Sequence, residues 1–334
     1  MNILLSLPIL IGLVLVALAF DFLNGLNDTA NSIATLVSTR MLRPRYAVVW
    51  AAFFNFVAFL IFGVHVARTV GVGIISAGVM DAHVIFGALI GAICWQLTTW
   101  AAGIPSSSSH ALIGGLVGAG VSKAGIAAIE WPGLLTTAAA IVLSPTFGFL
   151  LALLLVLSVS WAFVRANPRN TEGIFRWLQF GAASLISLGH GGNDAQKTMG
   201  IIAVLLFSQG ALGSQFYVPF WVVLTCQAAM GLGTLIGGWR IVHTVGSKIT
   251  RLTPVQGTCA SAGGAIMLFV ATYLGIPVST THTITGSVIG VGAARKVSAV
   301  RWNIATNIVI AWIITLPASA LVAALVYWSS GFIF

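Results

Sequence analysis

Two polar motifs of this 334-residue chain occur twice, about half a chain apart. The motif GLND at residues 25–28 returns as GGND at residues 191–194, and GIPSSSSH at 103–110 returns as GIPVSTTH at 275–282. Apolar sequence that carries helix-breaking polar motifs at matching places in two halves is typical of inverted-repeat secondary transporters. The sequence therefore predicts a first inverted repeat over residues 1–165, a short cytoplasmic link over 166–176 and a second inverted repeat over 177–334.

The composition places such a duplicated chain in a membrane. Hydrophobic residues make up 58% of the chain and charged residues only 6%, whereas about 25% of a soluble domain is charged. Apolar runs continue to the last residue, which favours a multi-pass protein of the cytoplasmic (inner) membrane over a secreted protein with a signal peptide. A spanning helix needs about 20 apolar residues. We therefore expect an all-α integral membrane protein with about 10–12 transmembrane segments, including broken or re-entrant helices.

The net charge of +9 has a simpler explanation than a nucleic-acid partner. With the N-terminus outside and the second repeat inverted, twelve of the fifteen lysines and arginines fall on the cytoplasmic side, as the positive-inside rule requires. These twelve are Arg40, Arg43, Arg45, Arg165, Arg169, Arg176, Arg240, Lys248, Arg251, Arg295, Lys296 and Arg301. The pattern predicts both termini outside, contact with membrane lipid and no nucleic-acid partner.

Asp28 and Asp194 are two of only six acidic residues, and they occupy equivalent places in the two repeats. A carboxylate inside a bilayer costs a few kcal/mol unless it is paired or solvated, so such residues mark functional sites. Carboxylate and amide oxygens suit a small hard cation, and carboxylates can also carry protons. The predicted cation-coupling residues are Asn27, Asp28, Asn31, Asn193 and Asp194, with Asp28 and Asp194 as metal ligands if the cation is sodium. The alternative is a pair of buried carboxylates that hold helix breaks.

The hydroxyl clusters complement these carboxylates. Pro105 and Pro277 stop one helix, and the serines and threonines that follow cap the next. A helix N-terminus presents free N–H groups and the positive end of the dipole, which suits an anion. The predicted anion-binding residues are Ser106, Ser107, Ser108, Ser109, Ser279, Thr280, Thr281 and Lys197. Plain helix capping is the alternative interpretation of the hydroxyls.

Other polar residues next to these motifs have roles that spacing alone leaves open. Lys197 stands one turn after Asp194, so it either pairs with that carboxylate or faces the anion. Its repeat mate is Asn31, which makes the two halves chemically unequal. His110, His282 and Gln196 are assigned supporting, hydrogen-bonding roles.

The motifs together resemble those of the inorganic phosphate transporter (PiT) family in its bacterial short form. Residues 24–31 resemble the first signature of the family, residues 189–197 the second, and residues 105–110 and 277–282 its paired Ser/Thr–His motifs. The resemblance runs almost end to end. It implies cation-coupled uptake of inorganic phosphate by alternating access, with Na⁺ or H⁺ as the coupling ion and no cofactor. A homodimer and a cytoplasmic regulatory protein are the further partners that it suggests.

Three alternatives compete with this interpretation. A sulfate permease of the same family would use a similar site, but only phosphate can still donate a proton to a carboxylate at pH 7. An anion channel would derive its symmetry from an oligomer rather than from an internal repeat. An enzyme would need Ser109 and His110 to face each other, which adjacent residues rarely do, and no acid is placed to orient the histidine. The sequence therefore predicts a transporter and not an enzyme.

Overall fold

The computed structural model describes residues 5–332, apart from the side chains of Pro168 and Arg169, and this part of the chain is helical almost throughout. Its twelve α-helices are α1 (Leu7–Ser38), α2 (Pro44–Val57), α3 (His65–Val72), α4 (Ala82–Ala102), α5 (Ser108–Ala124), α6 (Trp131–Ala162), α7 (Pro168–Ser208), α8 (Phe220–Ile236), α9 (Trp239–His243), α10 (Pro254–Tyr273), α11 (Thr280–Arg295) and α12 (Trp302–Ser330). A π-helical turn over Thr244–Lys248 continues α9. The sidedness predicted for the two chain ends and for the Arg169 side chain falls outside the described residues.

The helices confirm the predicted all-α membrane fold. Within residues 5–332, six helices are long and apolar enough to cross a membrane: α1, α4, α5 with the turn that follows it, α6, α10 and α12. Two further pairs pass only when taken together: α2 with α3, bent by 84°, and α8 with α9, bent by 66°. The count is therefore six spans, or up to eight with the bent pairs. Helices α7 and α11, which carry the polar motifs of the second half, are not included in this count.

The order of elements in α1–α6 recurs in α7–α12, and the halves exchange their last helices. Helix α6 packs against α10 and α11, and α12 packs in the corresponding way against α4 and α5. Helix α1 crosses α8, and α7 crosses α2. Because of these exchanges, each half buries its apolar surface against the other. Residues 166–176, expected to form a link between the repeats, are largely helical because α7 begins at Pro168.

The helix breaks expected at the Asn-Asp motifs do not occur. Helix α1 runs without interruption through Asp28, and α7 runs through Asp194. Gly25 serves packing instead: a Cβ added there would lie 2.1 Å from the carbonyl oxygen of Met230 in α8. Gly191 has the same role, because its Cβ would lie 2.3 Å from the carbonyl oxygen of Asn55 in α2. The glycines that resemble helix breakers therefore allow two helix crossings.

The breaks before the hydroxyl clusters are confirmed. Helix α4 ends at Gly103 with φ 66°, and α10 is followed by Gly275 with φ 71°, a conformation that glycine adopts without a steric penalty. The following proline cannot continue either helix. Two new helices, α5 and α11, then begin inside the protein, with their N-termini directed towards α1 and α7 through the contacts described next.

Candidate functional site

The four motifs are far apart in sequence but form one buried cluster in space. Its side chains come from the middle of α1 and α7 and from the N-termini of α5 and α11, so both halves contribute equally. Asp28, Asp194, Lys197 and Thr280 are at most 3% exposed. Apolar side chains of the surrounding helices exclude water from these groups, which strengthens every electrostatic interaction among them.

The carboxylate of Asp28 links the N-termini of α5 and α11. Its Oδ2 accepts a hydrogen bond from the hydroxyl of Ser108 in α5 at 3.0 Å. Its Oδ1 accepts one from Thr281 in α11 at 2.9 Å. Each oxygen of this carboxylate is therefore held by a hydroxyl from a different half of the chain.

Asp194 occupies the equivalent position in the second half, but only one of its oxygens is bound directly by a hydroxyl of the clusters. Thr280, the repeat mate of Ser108, donates a hydrogen bond to Asp194 Oδ2 at 2.7 Å. The residue equivalent to Thr281 in the first half is Ser109. Its hydroxyl does not contact Asp194 directly, because the ammonium of Lys197 lies between them. The Nζ of Lys197 contacts Asp194 Oδ1 and Ser109 Oγ, and it donates to the carbonyl oxygen of Val278 at 2.8 Å. Both roles considered for Lys197 are thus compatible with its position, because it touches the carboxylate and the hydroxyl cluster.

Asn31 occupies the position of Lys197 in the first half. Its Nδ2 donates to the hydroxyl oxygens of Thr280 and Thr281 at 3.1 and 3.0 Å. Its Oδ1 is buried and has no hydrogen-bond donor among the described residues. A buried oxygen without a donor is a suitable ligand for a small hard cation.

The hydroxyls of the two clusters divide into two groups. Ser107 and Ser279 cap α5 and α11, each accepting a hydrogen bond at 3.2 Å from the backbone N–H of the histidine three residues later. The hydroxyl of Ser106 points away from the carboxylates and donates to Thr99 at 2.7 Å. Only the last two hydroxyls of each cluster therefore face the carboxylates and Lys197.

The two asparagines of the Asn-Asp motifs face away from this centre. Asn193 ties α7 to the break before α11, since its Nδ2 donates to Thr272 at 3.0 Å and its Oδ1 accepts from the N–H of Val278 at 3.2 Å. The Nδ2 of Asn27 donates to the carbonyl oxygen of Gln96 at 3.4 Å, and its Oδ1 has no donor among the described residues.

Gln196 likewise acts on the scaffold. Its Oε1 accepts hydrogen bonds from the N–H groups of Val66 and Ala67 at 2.9 and 3.3 Å, which caps α3. The supporting role predicted for this residue is consistent with that position.

His190 is a member of the cluster that sequence reasoning did not single out. Its Nε2 lies 3.2 Å from Asp194 Oδ2, and ligand atoms of Asp28, His190 and Asp194 all lie within 4.8 Å of one another. Its position one helical turn before Asp194 is the signal that could have identified it. These three residues form the group of the described chain best arranged to surround a cation.

His110 and His282 form a pair behind the cluster. Their rings meet edge to face with centroids 4.3 Å apart, and His282 stacks on Trp312 at 3.6 Å. Each follows directly on the hydroxyls that face the carboxylates, so this pair joins α5 to α11 where the two halves meet.

A third carboxylate lies deeper in α1. Asp21 is fully buried, beside the side chains of Asn24, Thr198 and Cys226. Together with Asp28 and Asp194 it gives three buried carboxyl groups against one buried ammonium, that of Lys197. Where more than one of these carboxyls is ionised, bound cations or protons must balance the excess negative charge.

A polar, charged centre assembled from two repeated halves inside a bundle of apolar helices defines a multi-span membrane transporter. Comparison with known proteins identifies its family. Residues 24–323 match the family described as "Phosphate transporter family". The chain belongs to this family, which confirms the resemblance seen in the motifs, and it is a transport protein and not an enzyme.

Individual relatives agree over the whole length. A protein of Rhizobium meliloti (strain 1021) named "Probable low-affinity inorganic phosphate transporter" is 70% identical over 329 residues, 98% of each chain. A Bacillus subtilis (strain 168) protein of the same name is 46% identical over the full length of both chains. A solved structure titled "The sodium-dependent phosphate transporter" has a TM-score of 0.91 at 27% identity and covers 98% of this chain and 100% of its own.

Proposed function

We propose that this protein takes up inorganic phosphate across the cytoplasmic membrane together with sodium ions. The main support for the proposal is that hydroxyls at the N-termini of α5 and α11 donate hydrogen bonds to the buried carboxylates of Asp28 and Asp194. The name of the structural neighbour, a sodium-dependent phosphate transporter, supports the choice of ions. The names of the bacterial relatives support phosphate over sulfate.

Cations have a defined place in this proposal. Sodium binds between Asp28 and Asp194, with the oxygen of Asn31 as a further ligand, because hard oxygen donors suit this ion. A proton would need only a carboxylate, whereas the donor-free amide oxygen favours a metal ion. Neutralising the carboxylates also frees the hydroxyls of Ser108, Thr280 and Thr281 to donate elsewhere. Cation binding thus converts a site that repels anions into one that attracts them.

Phosphate then binds against these hydroxyls, Lys197 and the N–H groups at the start of α5 and α11. An ammonium and several hydroxyl donors match the oxygens of a tetrahedral anion. The N-terminal ends of two helices add the favourable ends of their dipoles. Because phosphate needs the cations and the cations gain from phosphate, the two bind cooperatively, and that cooperativity couples their movement.

Access to the centre alternates between the two sides of the membrane. The cluster is closed in the present conformation, since its central residues are at most 3% exposed. A cavity of about 650 Å³, lined in part by Pro105, Thr99 and Lys248, ends at the start of the first hydroxyl cluster. We assign it to the cytoplasmic half of the path, because Lys248 belongs to the basic residues that the positive-inside rule places there.

This assignment is tested by accessibility. A cysteine at Asn307, which lines the cavity, should react with a membrane-impermeant thiol reagent applied from the cytoplasmic side. Reaction only from the outside would reverse the orientation, including the external position proposed for the termini.

Substrate and coupling ion are tested by uptake of labelled phosphate, and separately of labelled sulfate, into proteoliposomes. Each anion is offered under a sodium gradient and under a proton gradient. We expect phosphate to accumulate under the sodium gradient alone. Accumulation under the proton gradient without sodium would transfer the coupling role to protons, and accumulation of sulfate alone would replace the substrate. Downhill movement that no cation gradient can drive would favour a channel and contradict the proposal.

A further inference from the structure

A second cluster of charge lies at the surface, between the segments that precede α10 and α12. We propose that it is a binding site for a phosphate group, either on the head of an anionic phospholipid or as free inorganic phosphate. The cluster, called here the basic pocket, is a cavity of about 380 Å³. It is lined by Ser247, Thr250, Arg251, Arg295, Lys296, Ser298, Ala299 and Arg301.

The walls of this pocket are fixed by backbone contacts. The N–H of Arg301 donates to the carbonyl oxygen of Ile249 at 2.9 Å, and the hydroxyl of Thr250 donates to the carbonyl oxygen of Ala299 at 3.1 Å. These bonds tie the segment before α10 to the segment before α12. The four basic residues thus project from two anchored segments around one cavity, rather than from independent loops.

No carboxylate of the described chain neutralises the basic pocket. The six acidic residues of the sequence are all accounted for elsewhere. Three are in the buried core, Asp81 pairs with Lys123, Glu172 pairs with Arg176, and Glu130 lies at the start of α6 in the first half. Four cations around one small cavity repel each other, so the arrangement favours an anion from outside the chain.

The repeat provides an internal comparison for the charge of this pocket. In the first half the N–H of Glu130 donates to the carbonyl oxygen of Ile74 at 3.0 Å, which reproduces the bond between Arg301 and Ile249 with offsets of 171 and 175 residues. Arg251 and Arg301 correspond to Ser76 and Glu130 at these offsets, whereas Arg295 and Lys296 correspond to Lys123 and Ala124 at the offset of 172 that relates α5 to α11.

The same backbone frame therefore exists once with four basic residues and no acidic partner, and once with a single lysine, Lys123, which pairs with Asp81. The positive-inside rule explains basic residues on one side of the membrane. It does not explain why four of them surround a single cavity that also offers serine and threonine hydroxyls.

The composition of the pocket identifies the ligand chemistry. Arginine binds phosphate oxygens through paired N–H groups, and lysine and hydroxyls add single donors. Basic pockets between helices on the cytoplasmic side of membrane proteins bind anionic headgroups in this way. The cavity volume lies within the roughly 300–1,000 Å³ of small-molecule sites. A singly or doubly charged phosphate group fits both the charge and the space.

The test uses the full chain in nanodiscs and the double variant Arg251→Gln/Arg301→Gln. The control is Arg43→Gln/Arg45→Gln, which removes two exposed arginines of the same predicted side outside the pocket. In the first arm, retention of phosphatidylglycerol is measured by mass spectrometry during exchange into phosphatidylcholine. In the second arm, binding of labelled inorganic phosphate is measured in phosphatidylcholine alone. The single variants Arg251→Gln and Arg301→Gln repeat both arms if the double variant is not monodisperse.

The two arms identify the source of the phosphate group. At the roughly fivefold that each basic residue contributes near an anionic surface, the double variant should bind its ligand on the order of 30-fold more weakly, and the control should match wild type. A loss confined to the lipid arm identifies a phospholipid headgroup. A loss of phosphate bound beyond one equivalent per chain, confined to the second arm, identifies free phosphate. Equal behaviour of pocket variants and control in both arms would overturn the proposal, whatever the outcome of the uptake experiments.

Discussion

Replacing Lys197 by methionine tests whether the buried charges are held together as the structure indicates. Methionine has a similar length and no charge, so the change removes the ammonium while largely preserving volume. Two acceptors then lose their donor, Asp194 Oδ1 and Ser109 Oγ, whereas the carbonyl oxygen of Val278 keeps the hydrogen bond that the Ser109 hydroxyl donates at 3.0 Å. The most serious consequence is a fully buried carboxylate without a countercharge.

The expected magnitude is large. Removing one partner of a buried ion pair costs about 3–5 kcal/mol, a substantial part of the roughly 5–15 kcal/mol by which folded domains are stable. The double variant Asp194→Asn/Lys197→Met has no buried charge at this place and should regain most of the loss. A double-mutant cycle should therefore give a coupling free energy of about 2–3 kcal/mol. Neither variant should accumulate phosphate, because both lack the ammonium that we assign to the anion.

The assay is denaturant-induced unfolding of the purified full chain, followed by tryptophan fluorescence. Arg176→Met serves as the control, since Arg176 forms an exposed pair with Glu172 whose side chains are each 55% exposed. Such a pair contributes about 0–1 kcal/mol, so this variant should be nearly as stable as wild type. A Lys197→Met protein of wild-type stability, or a double variant no more stable than the single one, would refute the reasoning.

Three further predictions concern neighbouring residues. Thr281→Val should lower phosphate uptake at least roughly tenfold while Thr281→Ser retains most of it, and equal losses would exclude a role for the hydroxyl. Gly25→Ala should lower the free energy of unfolding by about 1–3 kcal/mol. The control is Gly12→Ala in the same helix, which should have little effect because a Cβ there has no neighbour within 4 Å. Equal free energies of unfolding for the two variants would contradict the packing role of Gly25. Ser107→Ala should lower the free energy of unfolding by about 1 kcal/mol and leave the phosphate affinity unchanged, because Ser107 caps α5. Ser108→Ala should lower the phosphate affinity measured by equilibrium binding. A loss of affinity in Ser107→Ala and none in Ser108→Ala would contradict these assignments.

Several parts of the fold could be predicted because they depend on local chemistry. Glycine tolerates a positive φ and proline lacks the N–H that continues a helix, so the Gly-Ile-Pro triplets at residues 103–105 and 275–277 predicted the two breaks. The hydroxyls that follow were correctly expected to start new helices, and Ser107 and Ser279 do cap them. The scarcity of charge was sufficient to predict a membrane protein with a functional centre at its buried acids.

Other features depend on what a residue meets across the protein, and sequence could not supply them. Gly25 and Gly191 resemble helix breakers, but they remain within continuous helices because another backbone passes within reach of their missing side chains. The seven hydroxyls and four amides divide into helix caps, scaffold contacts and carboxylate partners, and this division depends on the orientation of α5 and α11. His190 lies one helical turn before Asp194, but its closeness to Asp28 became apparent only when α1 and α7 were brought together. The exchange of α6 and α12 between halves is likewise a property of tertiary packing.

The most direct test of the central claim is the dependence of phosphate affinity on sodium concentration, measured by equilibrium binding to the full chain in nanodiscs. We compare wild type with Asp28→Asn and with the exposed control Glu172→Gln. Wild type and control should bind phosphate at least roughly tenfold more tightly in saturating sodium than without it, and reciprocally bind sodium more tightly with phosphate. Asp28→Asn should lose this dependence because a ligand of the cation has lost its charge. The same sodium dependence in Asp28→Asn as in wild type would contradict the account.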